Sequence, residues 1–327
     1  MKLLSVVVLI VSVFFSNGNY KLENDLQKKG LHGKVKSVKS TSYEIVEEHD
    51  KISRGAASGS SYLVFNKMGF MIEETTYTMD GSLNYKRVFE FDKKGHMTSK
   101  DFIDSQGSLV SHETFSYDKK GKLNERILSK PDGSLENKET YKYDKRGNMI
   151  ENIGYSSDGS QNRKNIFMYD ENGFKQERII SFPDRAGNRT TYKYENGYLV
   201  EEISYFDGDP DGSNAYVIDN NGNVIESSEY KPNGELKGKS TSVYDDNNNR
   251  VEMNMFRPDG KLARKSTTAF NENGHVIDRS DFDPEGNLRR KETYKYEYDG
   301  SKNWINQIVY DSDSPQFIVG RVFEYYD

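Results

Sequence analysis

Asp207, Asp209 and Asp211, followed by Gly212, stand at alternate positions in the stretch "DGDPDGSN". Oxygen ligands at that spacing open a calcium loop. They form a candidate calcium site, although Ile218 stands where such a loop closes with glutamate and Pro210 interrupts it. A second acidic set is a column: Glu73, Glu125, Glu151, Glu177, Glu201, Glu226, Glu252 and Asp278. Paired carboxylates can hydrolyse glycosidic bonds, but only when their surroundings set an acid apart from a base. A repeating column provides no such difference. Of the histidines His32, His49, His96, His112 and His275, two (His96 and His275) share a position held elsewhere by Lys122, Asn148 or Phe174. A ligand position would not vary so freely. The chain has no cysteine, no zinc-ligand spacing, no phosphate-binding loop and no Gly-x-Ser-x-Gly. The expectation is a binding protein, not an enzyme, with calcium as the one cofactor considered.

Aromatic residues supply the candidate ligand surface: Tyr141, Tyr155, Tyr205, Tyr230 and Trp304. Exposed rings of this kind stack on sugars or anchor protein partners. Trp304, the only tryptophan, stands in an atypical last unit, where closing the core is the other role open to it.

The elements that position these residues follow from an internal repeat. Phe65, Phe91, Tyr117, Tyr143, Tyr169, Tyr194, Ile218, Tyr244, Phe270 and Tyr296 are spaced by 26 residues, except for steps of 25 and 24 around Tyr194. Each unit has two glycine turns, one of the type "YDKRG" and one of the type "PDG" or "PNG". Five of seven prolines (131, 183, 232, 258 and 284) occupy one corner of the second turn. Pro, Asp and Gly in that order suit a type I turn followed by a left-handed glycine, the three-residue hairpin loop. Two strands and two tight turns per unit make an antiparallel meander.

Counting outward from those loops sets Tyr143 against Met149, Tyr141 against Glu151, Ser129 against Leu135 and Glu125 against Glu139. Four columns then share one face, led by Met71, Tyr77, Leu83 and Phe89, with the glutamate column among them. Lys142, Lys193 and Lys295 lie on the other face. The fold class expected is all-β: an antiparallel β-hairpin repeat array, about 26 residues per unit, curled into a spiral shell, grooved ribbon or incomplete barrel. So long a row of strands cannot stay flat. The Tyr-x-Tyr-Asp stretch reads as a strand end with its turn, a structural staple.

"YKYDKRGN" and "FSYDKKGKL" resemble the YD repeat of RHS-type bacterial surface and toxin-shell proteins. "YKPNGELKG" is similar to MORN-like half-repeats of bacterial antitoxin-type proteins. The resemblance covers residues 65–300 and implies a β-shell without known catalytic residues. It also implies an alternative role, an antitoxin-like or immunity protein that neutralises a toxin.

The ends complete the division. "MKLLSVVVLIVSVFFSNGN" has one basic residue, an apolar stretch and small residues, so residues 1–18 read as a signal peptide. Residues 19–64 read as an N-terminal cap, with a short helix after Asn24 and a flexible insertion, "GAASGSS", at Gly55 to Ser61. Residues 65–295 are the hairpin repeats and 296–327 the C-terminal capping unit. The net charge of −6 argues against nucleic acid and acidic membrane surfaces. No integral membrane span is expected once the signal is cleaved. The expected role is an exported, non-enzymatic scaffold, periplasmic, cell-surface or extracellular, whose partner is a protein or a glycan.

Overall fold

The computed structural model describes residues 23–49 and 51–327. The expected signal peptide lies outside them. A four-residue helix, α1 (Asp25–Lys28), begins the described chain, and Asn24 and Gln27 form a capping box at its start. The short helix expected after Asn24 is therefore present.

All remaining elements are strands. The first hairpin pairs β1 (Val35–Glu48) with β2 (Lys51–Phe65). A regular run follows: β3 (Met71–Tyr77), β4 (Leu83–Phe91), β5 (Met97–Ile103), β6 (Leu109–Tyr117), β7 (Leu123–Ser129), β8 (Leu135–Tyr143), β9 (Met149–Tyr155) and β10 (Gln161–Tyr169). The period changes through β11 (Lys175–Ser181), β12 (Asn188–Glu195), β13 (Tyr198–Phe206) and β14 (Asp209–Ile218). Regularity returns in β15 (Val224–Tyr230), β16 (Leu236–Tyr244), β17 (Arg250–Phe256), β18 (Leu262–Phe270) and β19 (Val276–Phe282). The chain ends with β20 (Leu288–Tyr298), β21 (Trp304–Asp311) and β22 (Ser314–Tyr325).

Each strand pairs antiparallel with its neighbour in sequence, and β1 pairs with β22 over Val35 to Tyr43. The 22 strands thus form a closed barrel. This corrects the expectation of an open spiral, grooved ribbon or incomplete barrel. The cause lies at the ends: β1 offers one edge to β2 and the other to β22, so no regular edge remains open for the array to coil past itself. Gly55 to Ser61, expected as a flexible insertion, instead belongs to β2, with Tyr77 opposite Ser60.

The turns follow the sequence. Asp144 N–H donates to the Asn148 carbonyl at 2.9 Å, Gly147 N–H to the Asp144 carbonyl at 3.1 Å, and Gly147 has φ 92°. The register then departs from a plain count. Tyr143 pairs with Met149, but the next pair is Lys142 with Glu151, leaving Ile150 as an extra residue. Likewise Ser129 pairs with Leu135 and then Leu128 with Asn137. A bulge after each turn shifts pairing by one residue, and a one-residue shift exchanges the faces. Glu125 therefore opposes Thr140, not Glu139, and the expected like-charge contact does not arise.

The wall consequently has two different faces. One, here the aromatic face, carries Tyr141, Tyr143, Glu139 and Arg126. The other, the lysine face, carries Lys138, Lys142 and the glutamate column, with Glu125 and Glu151. The four apolar columns expected together are split between the faces. Among the described residues, every ion pair and ring contact joins elements close together in the wall. The wall is one sheet thick. A small apolar core of Leu26, Val35, Val38 and Phe65 sits where α1 covers the seam of β1, β2 and β22.

Candidate functional site

The repeat motif itself is structural. Tyr117 donates its hydroxyl to the Met97 carbonyl at 2.8 Å, and Tyr169 does the same to Met149 at 2.8 Å. Asp118 Oδ1 accepts the backbone N–H of Lys120 and Lys122 at 2.8 and 2.9 Å, closing the turn. In several units the residue after the turn glycine lies on the next unit's aromatic: His96 on Tyr117 at 4.7 Å and Phe174 on Tyr194 at 5.0 Å between centroids. His96 also meets its own Asp92 at 2.9 Å, and that side-chain bond, with His96 N–H, holds Asp92 down at about 2.

The structure does not gather the residues proposed from sequence as a ligand surface. Tyr141 and Trp304 lie on the aromatic face, and Tyr155, Tyr205 and Tyr230 on the lysine face. Tyr141 donates to Glu139 at 2.6 Å, so burial, reinforced by that carboxylate, pushes its hydroxyl up. The Tyr205 ring is covered by Arg189 at 4.1 Å. Trp304 is covered by Arg321 at 3.4 Å, and burial brings that guanidinium down to about 10. Asp207 and Gly208 form the turn between β13 and β14, while Asp209 and Asp211 lie within β14. Among the described residues no three or more His, Cys, Asp or Glu side chains converge on one point.

Each face carries a ladder of charges. On the lysine face Glu73 pairs with Lys86 at 2.9 Å, Glu151 with Lys164 at 2.9 Å and Glu252 with Lys265 at 2.6 Å. Lys138 pairs with Glu125 in the same way. Hydrogen bonds from Lys142 and Lys164 hold Glu151 below the usual carboxylate range. On the aromatic face Lys100 meets Glu113 at 3.2 Å, and Glu113 also holds Arg126. Arg126 and Arg163 both reach Glu139, at 3.2 and 2.7 Å. Burial opposes the Glu139 charge, but Tyr141 and the two arginines outweigh it and lower its pKa. Asn152 accepts from Asn165 at 3.0 Å, and both asparagines are buried.

Beside this ladder lies a cleft of about 720 Å³. Asn137, Glu139, Gly154, Gln161, Asn162 and Arg163 form its floor and sides, and the segment Phe182 to Arg185 its rim. Gly154 makes the floor: Leu128 and Ile180 hold the equivalent places one repeat before and after it. Asn162 lies over the glycine, its Oδ1 only 2.7 Å from where a Cβ would stand, and its amide donates to Ser156 Oγ at 3.1 Å. The rim is the connection between β11 and β12, one residue longer than its counterparts. It turns back so closely that a Cβ on Gly187 would be 2.1 Å from the Ile180 carbonyl oxygen, which only glycine permits. Arg185 covers the Phe182 ring at 3.9 Å. Sequence reading missed this site. Its signals were a glycine between Leu128 and Ile180 at the repeat spacing and "FPDRAG" in place of a tight proline turn.

Fold and surface together define a closed antiparallel barrel of tandem hairpins with charge-laddered faces and a polar cleft. No protein-family model matches the chain, and no curated protein matches it. Among solved structures it is similar to a TcdB2-TccC3 complex with Cdc42, at 11% identity and TM-score 0.33, over 89% of this chain and 18% of that one. It is also similar to TcdB2-TccC3 alone, at 12% identity and TM-score 0.34, over 83% of this chain and 17% of that one. A porin-like protein from Bacteroides uniformis aligns at 10% identity and TM-score 0.26, over 89% of this chain and 96% of that one. The chain thus spans less than a fifth of the TccC3-containing chains. Likenesses this low carry no argument about activity.

Proposed function

We propose that the protein is an exported, non-enzymatic repeat barrel that works in water, in the cell envelope or outside the cell, as a scaffold binding glycan or protein. The observation that carries this is the pairing of charges on both faces of a wall one sheet thick. A barrel crossing a bilayer turns an apolar band about 25 Å tall toward lipid, and each Lys or Arg at mid-depth costs about 2–4 kcal/mol. The lysine face carries Lys86–Glu73, Lys164–Glu151 and Lys265–Glu252. The aromatic face carries Lys100–Glu113 and Arg163–Glu139. Neither face suits hydrocarbon, whereas both suit water.

The state of the carboxylates favours binding over glycoside hydrolysis. A glycosidase of the usual kind needs one carboxyl held neutral as an acid near a second held ionised. Glu139, by the Tyr141 hydroxyl and two arginines against its burial, and Glu151, by two lysines, are both pulled toward the ionised state.

The purified protein is offered to phospholipid vesicles in a flotation assay without detergent. It is expected to remain in the aqueous fraction at every lipid composition. Stable flotation with protease-protected strands would overturn this reading in favour of a membrane-spanning barrel.

A further inference from the structure

We infer that the cleft around Gly154 is a binding site for a short neutral oligosaccharide. The inference rests on the binding-scaffold reading above and gives that scaffold a site and a ligand class.

The wall is hollowed here by a specific departure from the repeat. Gly154 interrupts a column whose neighbours are Leu128 and Ile180, and the longer connection from Phe182 to Arg185 raises one side into a rim. The floor is built on a fixed frame. Glu139 is held by Arg126, Arg163 and Tyr141, so the ladder beneath the cleft needs no ligand to settle its charges.

The polar lining combines three amides with two serines, two acids and two arginines. Asn137, Gln161 and Asn162 each present both a donor and an acceptor. Sugar hydroxyls also donate and accept at one atom, so such amides match them, while an apolar ligand would leave these groups unpaired. Arg163 also lines the cleft, with its guanidinium held on Glu139 at 2.7 Å. Charge selects among sugars. Glu139 and Asp184 are matched in number by Arg163 and Arg185, so the cleft offers no surplus cation to an acidic sugar.

The test is calorimetric titration with maltotriose, cellotriose, N,N′,N″-triacetylchitotriose and an acidic control, trigalacturonate. The protein is used whole, as wild type, Gly154→Leu and Asn162→Ala. Gly154→Leu introduces the side chain that Leu128 carries one repeat earlier, pushes aside the Asn162 carboxamide that lies over the glycine, and fills the floor. At least one neutral trisaccharide is expected to bind, with both variants weakening it about tenfold or more and Asn162→Ala doing so at unchanged melting temperature. If Gly154→Leu fails to fold, Asn162→Ala alone decides. Neutral binding unaffected by the variants would overturn the site while leaving glycan binding by the scaffold intact. Preference for trigalacturonate would overturn the ligand class. Binding of none of the four would overturn the inference, and vesicle flotation still judges the scaffold reading separately.

Discussion

The hydroxyl of Tyr117 donates to the carbonyl of Met97 at 2.8 Å, while the ring of the same tyrosine lies on His96 at 4.7 Å. One side chain thus fixes the preceding unit twice, at its backbone and at its turn. Tyr244 and Tyr296 repeat the hydroxyl bond to Val224 and Val276 at 3.1 and 3.0 Å. Tyr117→Phe removes the bond and keeps the ring, so it is expected to cost about 1 kcal/mol. Tyr117→Ala removes both and is expected to cost about 2–3 kcal/mol, since the ring is only partly buried. Urea unfolding of the two variants measures the difference: a Tyr117→Phe protein as stable as wild type would deny the hydroxyl any part, and equal losses would deny the ring one.

Glu113 is buried on the aromatic face between Lys100 and Arg126. Glu113→Gln leaves the shape and removes the charge. It is expected to cost about 1–3 kcal/mol, below the range for fully buried pairs, because both cations are partly exposed. Glu113→Gln combined with Arg126→Met should recover part of the loss. A double-mutant cycle with no coupling energy would show the pair to be independent.

Acid should loosen the wall. Glu139 and Glu151 have folded pKa values below the ordinary 4.5. A depressed carboxyl binds fewer protons folded than unfolded. Its contribution is therefore complete above about pH 4.5 and is lost as pH falls through the folded values. The melting temperature is expected to fall below that point, and Glu151→Gln should make the fall shallower. A melting temperature flat from neutral pH down to about pH 3 would contradict the ladders' role.

Closure depends on the last strand. Removing β22 leaves β1 and β21 each with an unpaired edge, and open edges recruit other chains. Size-exclusion chromatography is expected to show oligomers or aggregates. Deleting residues 118–143, one 26-residue unit from turn to turn, should instead leave a soluble monomeric barrel with two strands fewer. A soluble monomer without β22 would show that the seam is dispensable.

Much of the wall was legible in the sequence because its signals are local. The spacing of Tyr117, Tyr143 and Tyr169 gave the unit, and "DKRG" and "PDG" gave the turns with their positive-φ glycines. The faces were not legible beyond each turn. Ile150 and Glu136 are the extra residues of bulges that no loop rule announces, and each transfers the following residues to the opposite side. For that reason the glutamate column left the aromatic face and found its lysines.

The sequence by itself determined the repeat, the hairpins and the structural role of the Tyr-x-Tyr-Asp motif, because each depends on residues within a few positions of one another or one unit apart. Only the tertiary structure decided closure and the cleft. Closure joins Val38 to Phe323 across nearly the whole chain, and register errors accumulate over every intervening bulge. The cleft depends on Gly154, Arg163 and Phe182 meeting from different strands and turns. Their proximity follows from the bulged register, which sequence spacing alone does not specify.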